Sequence, residues 1–293
     1  MKLSNSKEII AVCQAQNLSL SAFALIDESE KTGRSPEDIR AYLSDVLSVM
    51  FAAVDTGLNG DGSRFKAKII KRDSVRLKRR YDTEKTVCGK TIATAASYAL
   101  ATMEVNASMG KIVASPTAGA CGVLPAVLAT LKERFELAEP TLIDGLLAAN
   151  VIGELVAKNA TISGAEGGCQ AEVGTASAMA AAASVHMLGG SAESAFSAAA
   201  MAFKNLLGLV CDPIAGLVES PCAKRNAMGA ANALMCAELA LAGIDSVVPF
   251  DEVVDAMYRI GKSLHPALRE TALGGLATTP TAIQIQTDLA IKI

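Results

Sequence analysis

Three cysteines in the middle of the chain, Cys169, Cys211 and Cys222, stand in segments rich in turn-forming residues. Their surroundings read GAEGGCQAEVG, GLVCDPIAGL and VESPCAKRNAMGA. Glycine or proline near each sulfur favours presentation from a bend in the backbone over burial along a helix. Soft thiolate ligands favour iron–sulfur clusters, Zn²⁺ or Cu(I) over hard cations. Three thiolates without a fourth matching partner are typical of an iron–sulfur cluster with one open iron, and this predicts Lewis-acid chemistry.

The spacing of these cysteines leaves a second interpretation open. Separations of 42 and then 11 residues match neither a zinc ribbon nor the tight cysteine run of ferredoxins. A buried free cysteine also behaves as a small hydrophobic residue. We interpret Cys13, Cys88 and Cys236 in that way, because each lies in or beside a helical apolar pattern, and we extend this to Cys121 between its small neighbours.

A second polar segment, Ser115–Gly122, has hydroxyls at Ser115 and Thr117 and freely oriented amides around Gly119. Successive amides in such a turn can bind a carboxylate or a phosphate. A capping turn between two helices explains the same residues equally well.

Histidine is scarce, and neither His186 nor His265 has the neighbours of a catalytic triad or a zinc motif. A general base in this chain would therefore be a lysine, a glutamate or a hydroxyl, with Lys224 and Ser115 as candidates. Lys224, Arg225 and Asn226 could orient a substrate, or they could form the exposed start of the next helix.

Composition limits the classes of partner and compartment. The chain has 293 residues, 51% of them hydrophobic, with no Trp and an odd count of seven cysteines. That count predicts no disulfide framework and favours a reducing cytoplasm. The start, MKLSNSKEII, has no secretory pattern, and the most membrane-like stretch, Ala176–Val185, is shorter than the roughly 20 residues of a membrane span. We therefore expect no membrane association.

The net charge of −3 argues against nucleic acid as a general partner. The exception is the run Arg64–Arg80, which contains nine Lys or Arg residues. It is either a solvated basic face or a docking surface for an acidic partner or an anionic substrate.

Helical patterns dominate and predict an all-α fold in one domain, residues 1–293, with Ala-rich buried central helices and cluster ligands on loops. The predicted helices begin after Ser35 and end at Gly57, run from Pro140 to Lys158, follow Ser191 towards Gly208, cover Ala227 to Leu241, and start again at Asp251. Lys68–Leu77 is the only moderate strand candidate.

Four segments resemble the iron–sulfur-dependent L-serine dehydratases, specifically the α chain of the two-subunit type. They read SPTAGACGVLP, ISGAEGGCQAEVG, GLVCDPIAGLVESPCAKRNAMGAANA and DAMYRIGKSLHPALRETALGGLATTPT, within residues 35 to 285. The resemblance implies an all-α catalytic domain that holds a [4Fe–4S] cluster. It places the cluster ligands on Cys169, Cys211 and Cys222, and the substrate-binding loop on Ser115, Thr117, Ala118 and Gly119.

Single-chain members of this family add a second domain and a C-terminal tail whose cysteine can occupy the fourth iron. This chain ends TDLAIKI, without such a cysteine. The resemblance therefore implies a separate β chain as partner, and a catalytic histidine proposed in the single-chain enzymes belongs to the part that corresponds to β. The implied reaction is L-serine to pyruvate and ammonia. An iron–sulfur cysteine desulfidase and a metal-free scaffold subunit are the alternatives.

Overall fold

The computed structural model describes residues 4–291, which form α-helices joined by loops. No β-strand occurs within these residues, and their one extended pairing is an isolated parallel bridge between Cys211 and Arg269. The predicted all-α fold is confirmed. The predictions made for the first residues and for the end of the chain fall partly on residues 1–3 and 292–293, which lie outside the described residues.

The described residues contain thirteen α-helices, one π-helical turn at Gln170–Gly174, and short 3₁₀ turns. The α-helices are α1 Ser6–Gln16, α2 Leu20–Thr32, α3 Pro36–Asn59, α4 Asp73–Thr83, α5 Gly89–Ala107, α6 Val123–Phe135, α7 Glu139–Asn159, α8 Gly164–Gly167, α9 Thr175–Met187, α10 Ala192–Lys204, α11 Cys222–Leu241, α12 Phe250–Ser263 and α13 Pro280–Asp288.

Helix starts follow local capping chemistry. The side chain of Ser35, the residue before α3, accepts a hydrogen bond from the amide of Asp38. The side chain of Ser191, the residue before α10, accepts one from the amide of Ser194. Both caps are as predicted. Helix α3 continues past Gly57, so the predicted end there is wrong. A methyl group at Gly57 would lie 2.4 Å from the carbonyl oxygen of Ala101, so this glycine serves the close approach of α3 to α5.

Helix α11 also differs from its prediction. It begins at Cys222 and not at Ala227, because Pro221 stands immediately before the first turn and does not interrupt the helix. The third cysteine is therefore carried by a helix start and not by a loop.

The core is built around α9, which packs against α6, α7, α10 and α11. Its alanines are buried almost completely, so the predicted Ala-rich central helices are confirmed. Small side chains let neighbouring backbones come close enough for hydrogen bonds between helices, as when Ser177 Oγ donates to the carbonyl oxygen of Gly229 at 2.9 Å. The assignment of residues 1–293 to one domain stays a prediction.

The basic run Arg64–Arg80 divides into an irregular segment and helix α4. The amides of Lys68, Ile69 and Ile70 donate to the buried carboxylate of Glu219 at 2.6 to 3.0 Å. The strand candidate Lys68–Leu77 therefore forms no strand, because a side-chain carboxylate satisfies these amides in place of a neighbouring strand. Most of the basic side chains are exposed to solvent.

Among residues 4–291, two helices, α3 and α7, are long and apolar enough to cross a membrane by length and composition. A third candidate arises if α1 and α2, which are bent by 106°, count as one broken span. In the most apolar window of α7, 67% is buried inside the protein, against 28% in α3. The stretch Ala176–Val185 lies instead in α9, which has 13 residues. The expected absence of a membrane stays a prediction.

Candidate functional site

The three cysteines come from three separate parts of the chain. Cys169 stands directly before the π-helical turn, Cys211 lies in the extended bridge to Arg269, and Cys222 is the first residue of α11. All three are buried free thiols. The amide of Cys211 donates to the carbonyl oxygen of Leu268, which fixes this segment against a part of the chain far away in sequence.

The three thiols share one electrostatic neighbourhood. Burial raises the pKa of Cys169 to about 11 and the pKa of Cys222 to about 12. Burial also raises the pKa of Cys211, helped by Glu172 and by the other two thiols. Without a metal these groups are therefore neutral at pH 7, and a metal that binds them has to displace their protons.

The arrangement of the sulfurs distinguishes between kinds of metal site. Within residues 4–291, no three His, Cys, Asp or Glu side chains converge closely enough to hold a single metal ion. A four-iron cluster instead binds its thiolates at separate irons around its outside, so its ligands need not meet at one point. A methyl group at Gly164 would lie 3.2 Å from Cys211 Sγ, so the backbone leaves room beside this sulfur. The donor set fits such a cluster better than Zn²⁺.

The predicted substrate loop reaches the same region through Glu172. Thr117 Oγ1 donates to Glu172 Oε1 at 2.7 Å, and Glu172 Oε2 lies 3.9 Å from Cys211 Sγ. A methyl group at Gly119 would lie 2.9 Å from Glu172 Oε1. Burial raises the pKa of Glu172, and the hydrogen bond from Thr117 acts in the opposite direction. One carboxyl group therefore joins the loop to the cysteines.

The loop itself is held by two asparagines. Asn106 Nδ2 donates to the carbonyl oxygen of Ala118 at 2.9 Å, and Asn226 Nδ2 donates to that of Gly119 at 2.8 Å. The amides of Thr117, Ala118 and Gly119 donate to no other group in the described part of the chain. Ser115 is buried, and its hydroxyl has no hydrogen-bond partner there. Donors held in place without acceptors are what an anionic ligand requires.

The family of the chain follows from comparison with known proteins. The family model described as "Serine dehydratase alpha chain" matches residues 15–277. This chain belongs to that family. The matched residues include all three cysteines and the loop Ser115–Gly122, so the resemblance seen in the sequence is confirmed.

Curated relatives agree with this family membership. The chain is 49% identical to "Probable L-serine dehydratase, alpha chain" of Bacillus subtilis, over 96% of this chain and 93% of the relative. It is 47% identical to "L-serine dehydratase, alpha chain" of Peptoniphilus asaccharolyticus, over 98% of both chains. For "L-serine dehydratase 1" of Escherichia coli the identity is 37%, over 97% of this chain and 62% of the relative.

Sequence reasoning missed Glu172 in this serine dehydratase family member. The available signal was an acidic residue three positions after Cys169, in a stretch whose other residues, apart from Gln170, are small or apolar. Of the polar residues after Cys222, Arg225 and Asn226 face the site, whereas Lys224 does not. Lys224 is exposed and pairs with Asp73 at 2.9 Å, so it is not placed to act as a base there.

Other predicted residues lie apart from the site. Cys13, Cys121 and Cys236 are buried as expected, but Cys88 is exposed, so its assignment to the interior is wrong. It stands just before the first turn of α5, outside the buried face of that helix. Burial lowers the pKa of His186, and His265 Nδ1 accepts a hydrogen bond from the amide of Ala267. No hydrogen bond joins either histidine to a cysteine within residues 4–291.

A cavity of about 740 Å³ lies between the C-terminal ends of α3 and α5. Arg64, Lys66, Arg72 and Lys111 line it, and none of the cysteines does. Its positive charges stand beside helix C-termini, where they complement the negative ends of the helix dipoles. The candidate site is therefore identified by the cysteines and the loop Ser115–Gly122, neither of which lines this cavity.

Proposed function

We propose that this chain is the catalytic α chain of an L-serine dehydratase, which converts L-serine to pyruvate and ammonia. We further propose that Cys169, Cys211 and Cys222 hold a [4Fe–4S] cluster. The observation that carries the proposal is that Glu172 links the loop Ser115–Gly119, through Thr117, to Cys211, one of three buried thiols in the same electrostatic neighbourhood. The names of the relatives support the reaction.

The chain's own groups would bind and orient the substrate. The free amides of Thr117, Ala118 and Gly119 and the hydroxyl of Ser115 would donate to the serine carboxylate. Asn106 and Asn226 fix the carbonyl oxygens of this loop, so the donors keep their direction when the ligand binds. The cluster, when bound, would supply a Lewis acid that assists departure of the serine hydroxyl.

The reaction removes the α-proton and the β-hydroxyl as water and leaves 2-aminoacrylate. This enamine tautomerises to the imine, and hydrolysis then consumes one water and releases pyruvate and ammonia. Glu172 contacts both the loop and Cys211, whereas Lys224 is exposed and pairs with Asp73. The base is therefore either a group of this chain near the cysteines or a residue of a partner.

We also propose a separate β chain as partner and a cytoplasmic, reducing setting. Two relatives carry the words "alpha chain" in their names, and this chain spans 62% of the longer Escherichia coli relative. All seven cysteines are free thiols, which supports a reducing compartment.

The test is anaerobic co-expression with a candidate β chain, followed by iron and sulfide analysis and a pyruvate assay on serine and on cysteine. We expect bound iron and sulfide and pyruvate formation from serine. Faster turnover of cysteine would identify a desulfidase instead. A purified complex that takes up no cluster would leave the metal-free scaffold as the explanation.

Cys211→Ser tests the ligand assignment, and Cys236→Ser is the control, because Cys236 is also buried but lies about four helical turns after Cys222 on α11. We expect Cys211→Ser to abolish pyruvate formation while the helical circular-dichroism signal stays unchanged. Full activity in Cys211→Ser would contradict the assignment.

A further inference from the structure

Arg225 joins the helix that carries Cys222 to the segment of Cys211. It lies one turn after Cys222 on α11, on the same side of the helix. Its Nη1 donates to the carbonyl oxygen of Val210, the residue before Cys211, at 2.7 Å. The segment of Cys169 is joined to the same stretch of chain, because the amide of Gln170 donates to the carbonyl oxygen of Leu209 at 3.0 Å. The guanidinium group therefore joins the helix of Cys222 to the segment of Cys211, which is bonded in turn to the segment of Cys169.

Asp212 is the acidic partner of this guanidinium. Arg225 Nη2 lies 2.9 Å from Asp212 Oδ1, and the side chains are 13% and 3% exposed. Asp212 Oδ2 accepts a hydrogen bond from the amide of Leu276 at 2.8 Å. At Gly275, where φ is +60°, a methyl group would lie 2.4 Å from this same oxygen. The pair therefore also fixes the segment Gly274–Pro280 against the cysteines.

We propose that Arg225 and Asp212 are positioning residues that hold the segments of Cys169, Cys211 and Cys222 in the arrangement that binds the cluster. This inference rests on the proposed function for the identity of the bound group. The planar guanidinium offers several donors in a fixed fork, so it can orient more than one segment at once.

The pair differs from the other ion pairs in where it acts. Arg40 and Asp144 form a contact of similar length, with Nη2 2.7 Å from Oδ1, but their side chains are 37% and 31% exposed and join α3 to α7. Arg40→Met is therefore a matched control for Arg225→Met. Each substitution removes one guanidinium that joins distant segments, and only one of them removes it from the cysteine segments.

The first measurement uses the full chain without metal. A neutral maleimide labels the thiols, and mass spectrometry gives a rate for each cysteine. In Arg225→Met we expect labelling of Cys169 and Cys211 to be about tenfold faster, because their segments open more often. Cys13 and Cys121 should keep their native rates. Arg40→Met should leave the rates at Cys169 and Cys211 unchanged.

Two results of this measurement would overturn the inference. One is an equal increase at every buried cysteine, which would mean general loosening of the fold. The other is an unchanged rate at both Cys169 and Cys211. Because Arg225→Met leaves the Asp212 carboxylate buried and unpaired, Asp212→Asn is measured as well, since it keeps the shape of the side chain. It should show the same selective increase.

The second measurement follows anaerobic reconstitution with iron and sulfide. Loss of visible cluster absorbance to an iron chelator should be about tenfold faster in Arg225→Met than in the native chain, and Arg225→Lys, which keeps the charge without the fork, should lie between them. Equal rates in all three proteins would overturn the inference. If the native chain binds no iron, the proposed function fails, and the labelling pattern still decides whether the pair positions the cysteine segments.

Discussion

The carboxylate of Glu219 anchors the segment that leads into Cys222, and its contribution to stability can be tested. It is 4% exposed and accepts hydrogen bonds from the amides of Lys68, Ile69 and Ile70 at 2.6 to 3.0 Å. Its own carbonyl oxygen accepts from the amide of Ala223 in the first turn of α11. We predict that Glu219→Gln destabilises the protein strongly, although it changes only one oxygen to an amide nitrogen.

The magnitude follows from the number of donors. A hydrogen bond to a charged group contributes about 1.5–3 kcal/mol, and a buried donor left without an acceptor costs about 1–3 kcal/mol. A carboxamide keeps one acceptor oxygen and directs its NH₂ group at amides that are themselves donors. We therefore expect a loss of about 3 kcal/mol in the free energy of unfolding. That corresponds to a fall of roughly 6–12 °C in the melting midpoint.

The assay is thermal unfolding of the metal-free chain, followed by circular dichroism at one fixed heating rate. Glu139→Gln is the control, because Glu139 is exposed and accepts one hydrogen bond, from Ser44 Oγ at 2.6 Å. It should change the free energy of unfolding by less than about 0.5 kcal/mol. Equal midpoints for Glu219→Gln and the control would refute the reasoning.

Three further predictions concern the site and its surroundings. Gly164→Ala places a methyl group 2.5 Å from Glu172 Oε2, so iron content and pyruvate formation should fall about tenfold or more. The control Gly153→Ala should retain both, because its methyl group meets only the flexible side chain of Met179. Burial raises the pKa of Glu104, so this residue stabilises the fold below pH 4.5 and loses that contribution as pH rises. The melting midpoint of Glu104→Gln, relative to native, should therefore increase from pH 4 to pH 7. Brief labelling of the native chain with maleimide should modify Cys88 before any buried thiol, and labelling elsewhere first would contradict its position.

The sequence was sufficient where the decisive interactions are local. Ser35 and Ser191 cap their helices by accepting a hydrogen bond from the amide three residues ahead. Both helix starts could therefore be predicted from short stretches of sequence. Cys88 shows the limit of a local pattern. Its neighbours are helical, yet the residue before the first helical turn faces solvent, and an apolar pattern does not define that boundary.

The features of the site that the sequence did not predict depend on contacts between residues far apart in the chain. Thr117 and Glu172 are 55 positions apart, and Lys68 and Glu219 are 151 apart. Capping and periodicity describe a few neighbouring residues, so they contain no information about which carboxylate meets which amide. The family resemblance identified the cysteines and the loop, but Glu172 was found only once the helices were placed around α9.

The bridge between Cys211 and residues 268–270 also sets the order in which the site can form during synthesis. Once Cys222 has been synthesised, all three cysteines are present in the nascent chain. The residues that bond to Cys211 and Asp212, which extend to Leu276, are synthesised about 50 residues later. At roughly 5–20 residues per second, that delay lasts several seconds. The nascent chain therefore passes through a stage with unsecured thiols, when oxidants and stray metals have access to them. Under the proposed function, cluster delivery belongs after this stage.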